Sequence, residues 1–108
     1  MTIGDVIIYD IEDYISESGF SVVKDFVGHG IGRQLHEDPP VPNYKNSGID
    51  VEIKEGMVLA IEPMINQGTG KVTTAKDGWT IKTEDTKLSA HFENSIIVTG
   101  NGPIILGI

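Results

Sequence analysis

Apolar positions near the N-terminus recur at helical spacing. Ile3, Val6, Ile7, Ile11, Tyr14 and Ile15 fall on one side of a helical wheel, while Asp10, Glu12, Asp13 and Glu17 hold the other, which predicts an amphipathic helix over residues 2–18. Thr2 followed by Asp5 resembles a capping box, and Gly19 stands where such a helix would end. Phe20 to Val27 is rich in β-branched and aromatic residues and predicts a short strand. The periodicity then stops. Residues 28–40, GHGIGRQLHEDPP, mix three glycines with two histidines in a way that suits no regular element, and Pro39, Pro40 and Pro42 make 37–50 a predicted loop.

From Gly56 onward the pattern is that of strands. Met57 to Ile65 is a nearly continuous apolar run interrupted by Glu62, as in a strand buried on both sides. Lys71–Ala75, Thr80–Thr83 and Ala90–Val98 follow, with turns expected at Asp77-Gly78 and Asp85-Thr86. The predicted class is α+β: an N-terminal helix, then a curved antiparallel sheet, in a single domain over residues 1–108.

Composition narrows the partners. The net charge of −8 is spread along the chain without a Lys/Arg cluster, which argues against nucleic acid. No apolar run approaches the roughly 18 residues of a membrane span, and the N-terminus lacks the basic and apolar regions of a signal peptide, so a cytoplasmic location with no membrane contact is expected. With no cysteine in the chain, any metal would be held by His, Asp or Glu.

Two carboxylates stand out against their surroundings. An ionised Glu62 inside VLAIEPMI would cost several kcal/mol if buried without a partner, so something positive should face it. Glu93 repeats the situation in SAHFENSIIV, where strand alternation puts it on one face with His91, Ser95 and Ile97. Either the two carboxylates share a cation, or each finds a separate partner such as Arg33, the single arginine. His29, between two glycines, can present its imidazole from a closely approaching backbone. His36 follows seven residues later, off the spacing of a helical HxxxH site. Arg33 and Asp38 read as a local ion pair holding the glycine segment.

Four stretches in order, GFSVVKDFV, GHGIGRQLHEDPPVPNY, EGMVLAIEPMIN and DGWTIKTEDTKLSAHFENSIIVTGNGP, resemble the C-terminal half of type I methionine aminopeptidases, and the resemblance covers essentially the whole chain. It implies half of a pita-bread fold, whose two halves are related by a pseudo-two-fold axis around a site for two divalent cations; cobalt, manganese, iron and zinc are not distinguished. His29, Glu62 and Glu93 would be metal ligands, Glu62 would double as general base, and His36 would be catalytic, positioning the substrate and stabilising the tetrahedral intermediate. Leu35 and Trp79 would line the pocket for the N-terminal methionine of a peptide. Asn94 stands where that family usually shows a histidine, and Leu35 where a larger aromatic is common. The family's two remaining ligands are aspartates from the N-terminal half, and Asp5, Asp10, Asp13 and Asp25 lack their flanking sequence. The resemblance therefore implies a metallo-aminopeptidase acting on nascent chains, with this chain carrying part of the site; the alternative is an inactive truncated homologue that binds a partner. The missing half, or a second copy of the chain, would be the partner that completes it.

Overall fold

The computed structural model describes residues 2–45 and 47–107, with side chains for all of these except 6, 7 and 9. The expected helix is present with a change of pitch. A π-helical turn, Gly4–Ile8, runs into helix α1, Tyr9–Glu17. The capping box forms reciprocally: the Thr2 backbone N–H donates to the Asp5 carboxylate (3.0 Å), and the Asp5 N–H donates to the Thr2 hydroxyl (3.3 Å). At the other end Gly19 adopts φ +84°. Its N–H reaches the Ser16 carbonyl and that of Phe20 reaches the Ile15 carbonyl, the two bonds that close a helix through a left-handed glycine.

The π turn changes which residues face inward. Its hydrogen bonds span five residues rather than four, so Ile3 and Ile8, five apart, are both buried, joined by Ile15. Tyr14, expected on the apolar face, is instead 74% exposed. Val6 and Ile7, also expected there, lie outside the described side chains.

Ten strands follow. In chain order they are β1 (Ser21–Val22), β2 (Gly28–Ile31), β3 (Glu37–Val41), β4 (Val58–Ile61), β5 (Met64–Asn66), β6 (Val72–Thr74), β7 (Ile81–Thr83), β8 (Ser89–His91), β9 (Asn94–Thr99) and β10 (Gly102–Leu106). Five of them form an antiparallel sheet in the order β10-β9-β4-β2-β3; β1-β5-β8 form a second sheet, and β6-β7 a separate hairpin. Helix and main sheet meet in a core of Ile3, Ile8, Val41 and Leu59, with Ile11, Val51, Ile53, Met57, Ile61 and Ile96 packed against it.

Three expectations are corrected. The glycine–proline segment is regular at its two ends: β2 and β3 pair as neighbours, with a shift of register after His29, while 32–36 between them and the described residues of 42–50 are loop. The prolines fit because β3 is an edge strand, where alternate N–H groups face away from the ladder, and because Pro39 falls in the register shift between the His29–Pro40 and Gly30–Glu37 pairs. The glycines fit because the strands crowd together there. A Cβ on Gly28 would lie 2.1 Å from the Ala60 carbonyl oxygen, and one on Gly30 would lie 2.1 Å from that of Asp38. Second, Met57–Ile65 and Ala90–Val98 are each two strands, broken at Glu62-Pro63 and Phe92-Glu93, where the chain passes between the two sheets. The breaks lie side by side, and the Phe92 N–H bonds to the Pro63 carbonyl. Third, only Ser21–Val22 of the strand expected over Phe20–Val27 pairs, and the terminal strand β10 was not anticipated.

Candidate metal centre

Strand register brings the predicted ligands together. Ala60 of β4 pairs with His29 of β2 on one side and with Ser95 of β9 on the other. Directly paired residues share a face, and side chains two residues apart along a strand share it too. His29 therefore stands on the face of Ala60 and Ser95, opposite the face of Leu59 and Ile96. Glu62 lies two residues beyond Ala60, and Glu93 two residues before Ser95, so the antiparallel pairing sets the carboxylates opposite each other on that same face. In the structure, ligand atoms of His29, Glu62 and Glu93 all lie within 4.8 Å of one another.

The local chemistry is that of opposed lone pairs. His29 Nδ1 is 2.9 Å from the Gly30 carbonyl oxygen. A carbonyl can only accept, so Nδ1 carries a proton and, in the neutral ring, Nε2 presents its lone pair. That Nε2 is 3.2 Å from Glu62 Oε2, with both side chains largely buried. Two electron-pair donors at that distance require a proton or a cation between them. Burial, followed by the repulsion of Glu93, raises the Glu62 carboxyl above the ordinary carboxylate range, and His29 and His91 only partly offset this. Nitrogen and oxygen donors converging around excess negative charge suit a divalent cation.

Other predicted residues fare unevenly. His36 is exposed, with its ring centroid 4.1 Å from that of His29. The two histidines line one open cleft of about 740 Å³ together with Val27, Gly28, Gln34 and Glu37. Leu35 and Trp79, expected as pocket walls, are 70% and 87% exposed and do not line that cleft. Trp79 sits at the tip of the β6-β7 hairpin, where the Asp77 carboxylate accepts from the Trp79 and Thr80 N–H groups. The Arg33–Asp38 ion pair does not form among the described residues. Glu37 holds the loop instead, accepting from the Gln34 N–H at 2.8 Å. His91, given no role from the sequence, has Nε2 3.7 Å from Glu62 Oε1; its place two residues before Glu93 on the same face was the available signal.

The arrangement is one that could hold a metal ion through an imidazole and two carboxylates. The model of metallopeptidase family M24 matches residues 2–100, and the chain belongs to that family. It is 57% identical over 97 residues to a methionine aminopeptidase of Clostridium perfringens, covering 90% of this chain and 39% of that enzyme. With the methionine aminopeptidase of Escherichia coli K12 the identity is 49% over 96 residues, covering 89% of this chain and 36% of the enzyme. The crystal structure of the Thermotoga maritima methionine aminopeptidase superposes with a TM-score of 0.91 at 47% identity, covering 98% of this chain and 42% of the other. The chain thus spans about two fifths of these relatives' length, matching the C-terminal half of the pita-bread fold.

Proposed function

We propose that this chain is the metal-bearing C-terminal half of a methionine aminopeptidase, holding divalent cations through His29 Nε2, Glu62 and Glu93. The observation that carries the reading is the convergence of these three side chains on one sheet face. A cation bound there would supply Lewis acidity, polarising a peptide carbonyl and acidifying water. The residues do the rest. The Nδ1 bond to the Gly30 carbonyl fixes the His29 ring so that Nε2 faces the site. Glu62, beside the cation position, takes the proton of the attacking water and returns it to the departing amine. His36, exposed beside His29, orients the substrate, the N-terminal methionine of a peptide in the cytoplasm. Leu35 and Trp79 become pocket walls once a second surface covers this face, and the N-terminal half of such an enzyme supplies that surface together with the remaining cation ligands.

Calorimetric titration of the chelator-stripped chain with manganese or cobalt tests the ligand set. Binding is expected, weakened by at least about 100-fold in Glu62→Gln; failure to bind either ion overturns the reading. The chain by itself should hydrolyse Met-Ala peptides negligibly, and turnover near roughly 1 per second would show that it needs no second surface.

A further inference from the structure

The Glu62 carboxylate has two faces, and both are occupied by imidazoles. Oε2 lies 3.2 Å from His29 Nε2, and Oε1 lies 3.7 Å from His91 Nε2. Donors bound to one cation at about 2.1 Å stand roughly 3.4 Å apart in a tetrahedral shell, so both separations are those of neighbouring ligands. His91 reaches this position because β8 pairs with β5, setting His91 opposite Met64, two residues beyond Glu62. Its side chain is 42% exposed, which leaves the ring free to turn toward a bound ion.

We propose that His91 is a metal-ligating residue of this chain, donating Nε2 to a cation held on the Oε1 side of Glu62. Glu62 then spans His29 at Oε2 and His91 at Oε1, and the Oε1-side cation has the His91 nitrogen and a Glu62 oxygen as its donors from this chain. The donor set becomes half nitrogen, which favours zinc, cobalt or nickel over magnesium or calcium. The inference rests on the metal reading of His29, Glu62 and Glu93 and adds a ligand to it.

The test is a zinc titration of the chelator-stripped chain followed by long-range proton–nitrogen NMR of the imidazoles. The chain has three histidines, so each ring is assigned by a single substitution. Zinc is expected to move the Nε2 resonances of both His29 and His91 to metal-bound values. If His29 moves and His91 does not, the present inference fails while the metal reading stands; if neither moves, both fail. In parallel, His91→Gln should weaken zinc binding by about tenfold or more, and affinity within twofold of the unsubstituted chain would overturn the assignment. Because the NMR is read on the unsubstituted protein, a folding defect in the variant leaves the test intact.

Discussion

The helix-backed end of the main sheet and the outer β-structure from Lys71 to Phe92 are made of similar residues but stand in opposite states. At the first, Ile3, Val41 and Leu59 have no exposed surface. In the second, Trp79, Leu88 and Phe92 are each at least 70% exposed, and β6-β7 pair only with each other. The difference teaches that burial follows the layer available to cover a side chain, not its hydrophobicity. The helix covers one face of the sheet. The opposite face carries His29, Glu62 and Glu93, with Glu93 exposed, and among the described residues no helix packs over it or over the outer strands. Soluble proteins seldom leave large apolar side chains uncovered together.

The comparison breaks most readily at Leu59. Leu59→Ala should lower unfolding free energy by about 4 kcal/mol, since it removes a fully buried side chain from the centre of the core; urea denaturation measures it. Gly28→Ala should cost about 3 kcal/mol, because the added methyl meets a backbone carbonyl that cannot turn aside, and it should weaken metal binding by displacing the adjoining His29. Trp79→Ala, although it deletes a larger side chain, should change stability by no more than about 0.5 kcal/mol. A cost matching that of Leu59→Ala would mean that the outer hairpin is packed in solution and that the contrast is false.

The smallest effect concerns pH, where the two regions should respond with opposite sign. In the metal-free protein the raised Glu62 carboxyl binds a proton more tightly folded than unfolded. Its contribution therefore grows as pH falls from its folded value toward the ordinary carboxylate value, and is lost as pH rises. Asp77 and Asp85, in the outer turns, are held below the ordinary range, Asp77 by hydrogen bonds from Thr80 and Trp79 and Asp85 by the Thr69 and Lys87 N–H groups. Their contribution is present above the ordinary value and is lost as pH falls through the folded values. Thermal unfolding across pH 3 to 8, a range spanning about the usual carboxylate titration, should show Glu62→Gln removing the first trend and Asp77→Asn diminishing the second. Identical profiles in both variants would refute the assignment.

The sequence by itself determined whatever depends on neighbours a few residues away. The Thr2–Asp5 box, the Gly19 terminus and the Asp77 turn are each closed by hydrogen bonds within five residues, so composition and spacing suffice to place them. It also exposed Glu62 and Glu93, because a carboxylate in an apolar strand conflicts with its surroundings wherever the strand lies. The tertiary structure alone decided the rest. Gly28 and Gly30 belong to a strand because carbonyls of Ala60 and Asp38 occupy the space of their missing side chains, and a carbonyl brought in from Ala60 leaves no trace in GHGIG. The π turn resets which isoleucines face the sheet, and edge position excuses Pro39 and Pro40. His91 gains its partner only where two sheets exchange strands at Glu62-Pro63 and Phe92-Glu93. Exposure of Leu35 and Trp79 was equally hidden, since a pocket wall is apolar in the sequence whether or not the opposing wall is present.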